Sequence, residues 1–141
     1  MIRVVVDPGV FVSAFIGPQG SVPDRIVRAW RTGRFELVLS PALLGELSEV
    51  LARPRFARAT RGGRAVDFVN ALGAGSSMAG DPPGSEAITR DPKDDYLVRL
   101  ARSSAATALV SGDRDLLEAG IRDVAVLTPR AFIDQVDRSQ T

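Results

Sequence analysis

The 141-residue chain contains no histidine and no cysteine. Without histidine there is no imidazole base, no Ser-His-Asp relay and no histidine-ligated metal. Without cysteine there are no disulfides and no thiolate zinc site. Any bound metal must be held by oxygen, which favours hard cations such as Mg²⁺ or Mn²⁺. Lysine is almost missing too: Lys93 is the only one, so the positive charge is nearly all arginine. No apolar run approaches the roughly 20 residues needed to span a bilayer. Met1 to Val6 runs straight into an acid and lacks a signal-peptide pattern, so the expectation is a cytoplasmic protein that does not use the membrane.

What is present fits one ordinary soluble domain. Hydrophobic residues make up 45% and charged residues 25%, with a net charge of +1. Arginines crowd one stretch: Arg53, Arg55, Arg58, Arg61 and Arg64. Guanidinium groups pair well with phosphate, which makes these five candidates for phosphate contact. A solvated helix face accounts for the same pattern equally well.

Strand and helix signals alternate along the chain. Ile2–Val6 reads as a buried strand ending in a turn at Asp7-Pro8-Gly9. Val10–Ile16 reads as a helix closed by Gly17-Pro18. Ser21 caps the next helix, which Gly33 stops. Phe35–Leu39 is a second strand. Ser40 and Pro41 open a helix to about Ala52, with Leu43, Leu44, Leu47, Val50 and Leu51 as its apolar stripe. Short helices are expected over Arg55–Thr60 and Arg64–Leu72, and a loop over Gly73–Gly84. A helix over Asp94–Ser104 leads to a strand, Thr107–Val110. Arg114–Glu118 is a short helix, Val124–Leu127 a last strand, and Pro129–Val136 a last helix. This predicts a single α/β domain over residues 1–136, a three-layer α/β/α sandwich on a parallel sheet, with a polar tail over 137–141.

In such sheets ligands bind at the carboxyl ends of the strands. Asp7 directly follows the first strand, and Asp113 follows the strand Thr107–Val110 by three residues. Glu46 sits at the margin of its helix's leucine stripe, whereas Glu49 turns toward water at about 100° per residue. Asp94 projects toward the apolar side made by Leu97, Val98, Leu100 and Ala101, and Asp95 about a third of a turn away. Each acid alone has an ordinary explanation as a helix cap, a turn or a boundary residue. Several carboxylates on one rim repel one another unless a cation lies among them.

These stretches resemble the PIN-domain family, in particular single-domain toxins of toxin–antitoxin pairs related to VapC. The resemblance rests on Val4-Val5-Val6-Asp7, on Phe35–Ser40 leading to Leu44-Gly45-Glu46-Leu47, on Arg90-Asp91-Pro92-Lys93-Asp94-Asp95, on Leu109–Leu117 with Ser111-Gly112-Asp113-Arg114-Asp115, and on Thr128–Phe132. It covers nearly the whole chain in order and spacing. It implies a Rossmann-like parallel sheet and a metal-dependent ribonuclease. The acidic centre carries over onto Asp7, Glu46, Asp94 and Asp113 as catalytic and metal-binding residues, with Asp95, Asp115, Ser40 and Ser111 as auxiliaries. It also implies an antitoxin partner and a homodimer.

One departure stands out. The family usually has Asp, Thr and Asn at the first strand end, and this chain has Asp7-Pro8-Gly9. Neither polar side chain is present, and Pro8 also lacks an amide hydrogen. Losing groups that steady metal ligands costs about 10–100-fold in metal affinity or activity. Two expectations follow: an Mg²⁺- or Mn²⁺-dependent endoribonuclease, or a weakened or inactive PIN-like module that binds RNA or a protein partner. A receiver-like phosphoryl-transfer domain with Asp7 as nucleophile is disfavoured. Gly9 stands where a second acid would be expected in a haloacid-dehalogenase-like motif, and Lys93 is the only lysine.

Overall fold

The computed structural model describes residues 1–139. Five parallel strands form one sheet in the order β3-β2-β1-β4-β5. They are β1 (Arg3–Val6), β2 (Glu36–Leu39), β3 (Ser77–Met78), β4 (Ala108–Val110) and β5 (Ala125–Leu127). Seven α-helices flank them: α1 (Pro8–Ile16), α2 (Val22–Arg31), α3 (Pro41–Leu51), α4 (Arg64–Gly75), α5 (Pro92–Ser103), α6 (Arg114–Leu117) and α7 (Pro129–Arg138). The result is the α/β/α sandwich on a parallel sheet that the alternation predicted, with the Rossmann-like order that the resemblance implied.

The central strand explains its own sequence. Val4, Val5 and Val6 are each fully buried, because helices cover both faces of a parallel sheet. Val4 lies opposite Leu37 on one side and Ala108 on the other, and Val6 lies opposite Val110. Helix α5 packs on β1 and β4, α1 packs on α2 and α3, and α2 packs on α7. Phe35, just before β2, and Phe132 of α7 meet edge to face, with ring centroids 5.0 Å apart.

Local signals set most boundaries. Ser21, Ser40 and Thr128 cap α2, α3 and α7 through their hydroxyls, each with proline in the first turn behind it. Differences from the sequence reading have physical causes. Pro8 and Gly9 form the first turn of α1, not a separate turn, because the Asp7 side chain caps that helix by accepting from the Gly9 amide. The Arg55–Thr60 helix reduces to a 3₁₀ turn over Pro54–Phe56. The stretch read as a loop from Gly73 contains the end of α4 and the edge strand β3. Gly75 is required there, since a Cβ would come within 2.6 Å of the Trp30 ring. Helix α7 continues two residues past Val136, and Asp137 pairs with Arg25 of α2. The end of the expected tail, residues 140–141, lies outside the described residues.

Candidate functional site

The chain runs outward from β1 in two directions, toward β2 and β3 on one side and β4 and β5 on the other. The strand order reverses between β1 and β4, where ligand crevices form in open α/β sheets. Asp7 ends β1 and Ser111 ends β4, and the two are joined: the Ser111 hydroxyl donates to Asp7 Oδ2 at 2.7 Å. Ser111 is fully buried and also accepts from the Asp113 amide at 3.0 Å. One hydroxyl thus ties together the two strand ends that carry acids.

A cleft of about 480 Å³ opens above this junction. Asp7, Glu46, Asp94 and Asp113, separated along the sequence, all line it. Asp91 and Glu49 line it too, as do Arg53, Arg55 and Lys93. Among the described residues, Asp91, Asp94 and Asp115 bring carboxylate oxygens within 4.8 Å of one another. Asp91 was not singled out from the sequence, where it reads as the turn before a helix. It does cap α5, accepting from the Lys93 amide at 3.0 Å. Glu49 is exposed as expected, but the water it faces is the cleft.

Asp94 is buried among other carboxylates. It is 8% exposed, and its Oδ2 is buried with no hydrogen-bond partner. Burial raises its pKa most, followed by the Asp113 carboxylate beside it, with Asp7 and Asp91 adding to the effect; together they push it up to about 7. Asp95, the next residue, is buried as well but fully satisfied. Burial would raise its pKa, yet the Thr89 hydroxyl at 2.7 Å, the Thr89 amide at 2.8 Å and the Ile88 amide at 3.2 Å outweigh that and hold it low. Asp95 therefore anchors the segment before α5 and turns away from the cleft. A third of a helical turn separates a strained carboxylate from a structural one.

Glu46 is half-buried on α3 and accepts from the Tyr96 hydroxyl of α5 at 3.0 Å. Burial pushes its pKa up, and the Tyr96 hydrogen bond works against that. Burial and the neighbouring Glu46 raise the Tyr96 phenol far above its usual range, so Tyr96 is a fixed donor. Sequence inspection missed this residue. No sequence signal marks it, because two residues along a helix turn Tyr96 well away from Asp94. Ser40 is fully buried and caps α3 by accepting from the Leu43 amide, away from the cleft lining. Asp113 caps the short α6 by accepting from the Asp115 amide at 2.8 Å.

The five arginines separate. Arg53 and Arg55 line the cleft, and Arg55 also lies over the Phe56 ring at 4.6 Å. Arg58 and Arg61 are exposed and line no part of it. Arg64 lies over the Phe15 ring at 5.6 Å and lines a different hollow, beside α1 and α2.

The PIN domain family model matches residues 3–115, four fifths of the chain. The chain belongs to the PIN-domain family. The matched span carries every acid in the cleft. PIN domains are generally metal-dependent nucleases, and this one has the fold and an acid cluster of that kind. A further relative is the uncharacterized protein MJ1680 of Methanocaldococcus jannaschii, 25% identical, with 97% of this chain and 93% of that protein aligned. The crystal structure of PAE2754 from Pyrobaculum aerophilum superposes with a TM-score of 0.63 over 98% of this chain and 96% of that one. At 15% identity that likeness shows the shared fold. Among the described residues, no helix of this PIN domain is long and apolar enough to cross a membrane.

The donor set suits a hard divalent cation. Every acidic group is an oxygen donor, and the buried Asp94 Oδ2 lacks any other partner.

Proposed function

We propose that the protein is a divalent-metal-dependent endoribonuclease whose reaction centre is the cleft between β1, β4, α3 and α5. The single observation that supports this most is Asp94: a buried, unpartnered carboxylate oxygen pressed against other carboxylates, which only a proton or a cation makes tolerable. Asp94 and Asp113, with Asp7, Asp91 and Asp115 around them, would hold Mg²⁺ or Mn²⁺. Such an ion supplies Lewis-acid polarisation of a phosphodiester and a nucleophilic water at neutral pH.

The chain's own groups do the rest. Ser111 fixes the Asp7 carboxylate through its hydroxyl and ties it to the Asp113 backbone. Tyr96 holds one oxygen of Glu46 and leaves the other for hydrogen bonding within the cleft. Arg53, Arg55 and Lys93 line the rim and attract phosphates without reading bases. The Pro8-Gly9 departure removes two polar side chains, but the Gly9 amide and Ser111 still satisfy both oxygens of Asp7. That supports an active enzyme over an inert binding module. A toxin role with a cognate antitoxin, a homodimeric state and a cytoplasmic location complete the proposal, and rest on the family resemblance.

The test is cleavage of RNA by purified protein in Mn²⁺, Mg²⁺ and EDTA. Cleavage in the divalent ions and none in EDTA is the expected result. Equal cleavage in EDTA would refute the metal mechanism, and none in any condition would leave the binding-module reading.

A further inference from the structure

The carboxylates are bordered by a second cavity. It measures about 360 Å³ and shares Asp7, Gly9 and Asp113 with the cleft. Its remaining walls are Val10 and Ser13 of α1, Pro23 of α2, Gly112, and Pro129 of α7. The two spaces differ in charge. Arg53, Arg55 and Lys93 line the first, and no cationic side chain lines the second.

Two glycines, Gly9 and Gly112, line the second space. Gly9 and Gly112 both lack positive φ, so the backbone would accept a side chain at either position. A Cβ on Gly9 would meet only Asp7 Oδ1, at an ordinary 3.4 Å, and one on Gly112 would meet nothing within 4 Å. A side chain at position 9 would stand where the two cavities adjoin. The consequence of having none is room on the far side of the carboxylates.

We propose that this cation-free cavity, whose walls beyond the shared carboxylates are apolar or small, is a nucleoside subsite, receiving the base and ribose attached to a phosphate held at the carboxylates. A phosphodiester has two sides. The basic rim suits the phosphates leading in on one, and a space without cations suits the uncharged part of a nucleotide on the other. Its volume falls within the roughly 300–1,000 Å³ of small-molecule pockets. The subsite rests on the reading of the cleft as an RNA phosphodiester site.

The experiment is fluorescence anisotropy of labelled RNA pentamers with the full chain in Ca²⁺, moving one abasic position along the strand. The expected result is a loss of about tenfold in affinity at one position and less than about twofold elsewhere, the size of partly burying one base against apolar walls. Ser13→Leu, on an exposed position of α1, narrows the cavity. It should weaken the intact strand to the level of the sensitive abasic strand, with the melting temperature unchanged. Uniform losses along the strand would overturn the proposal, as would Ser13→Leu binding the intact strand like wild type. If that variant fails to fold, the abasic scan decides alone. Mn²⁺-dependent cleavage without positional dependence removes the subsite and keeps the nuclease. Positional binding without cleavage in any divalent ion removes the nuclease and keeps the subsite.

Discussion

The two ends of the sheet treat charge in opposite ways. At the amino end every strand-opening charge has a partner. Arg3, first in β1, donates to Glu36, first in β2, at 3.0 Å and to the Ser104 carbonyl at 2.6 Å. Ser77, first in β3, donates to the other oxygen of Glu36 at 2.6 Å. Arg102 grips Asp123 through two nitrogens at 2.8 and 3.2 Å. At the carboxyl end carboxylates face carboxylates, and one buried oxygen has no partner. Charge that is neutralised serves the fold. Charge left concentrated lowers stability, and a cation or a substrate must balance it.

Neutralising one acid at the carboxyl end should separate activity from folding most sharply. Asp113→Asn keeps the side-chain oxygen that caps α6 while removing the negative charge beside Asp94. Cleavage in Mn²⁺ is expected to fall by about 10³-fold, equivalent to several kcal/mol of transition-state stabilisation. The melting temperature should hold or rise. Loss of folding with loss of activity would mean that Asp113 serves mainly as a helix cap.

The next effect concerns stability. The Asp94 pKa is raised from 3.8 to about 7 in the folded protein. A raised acid contributes most below its unfolded value and loses that contribution as pH climbs through the folded one. Metal-free protein should therefore lose stability between about pH 4 and pH 7 from this group. The full shift corresponds to about 4 kcal/mol, and solvent in the open cleft reduces that to about 2 kcal/mol. Asp94→Asn should raise metal-free stability at pH 8 by about that amount, measured by urea unfolding. Mn²⁺ should stabilise wild type at pH 8 and stabilise the variant much less. A variant less stable than wild type at pH 8 would show that the Asp94 charge is already balanced within the protein.

Tyr96→Phe removes only the hydroxyl that steadies Glu46. Groups that orient ligands are worth about 10–100-fold, and the half-buried setting places this one near tenfold in activity or Mn²⁺ affinity. In a Glu46→Gln background the same change should do almost nothing, if Tyr96 acts through Glu46. Additive losses in the double variant would mean that Tyr96 touches the substrate itself.

The contrast between the ends was only half legible in the sequence. Strands and caps were readable because their causes are local: three consecutive valines for a doubly covered strand, and Ser-Val-Pro and Ser-Pro at helix starts. The acids at strand ends were readable because parallel topology places ligands there. Asp91 and Tyr96 were not, since their roles depend on how α5 seats against α3 and α6. Asp95 looked like an auxiliary of the site because its partners, Ile88 and Thr89, lie in a segment with no periodic pattern. Strand β3 escaped because two residues between a glycine-rich helix end and a long connection carry no alternation. Arg64 was grouped with Arg53 by sequence, although a helix start turns it toward Phe15.

The smallest expected effect comes from the amino end. The hydrogen bond from Ser77, aided by the charge and hydrogen bond of Arg3, holds the Glu36 carboxyl below its usual value against the opposing effect of partial burial. A depressed acid has the opposite sign to Asp94: its contribution is present above the unfolded value of 4.5 and fades as pH falls through the folded one. Arg3 and Glu36 are both substantially exposed, at 41% and 35%, so solvent screens the pair. Arg3→Ala should lower the melting temperature at pH 7 by no more than about 4 °C. That difference should shrink on acidification below the unfolded value of 4.5, while Mn²⁺-dependent cleavage stays at the wild-type rate. A variant that loses cleavage while remaining folded would show that the two ends are coupled through β1, and that the amino end does more than hold the strands in register.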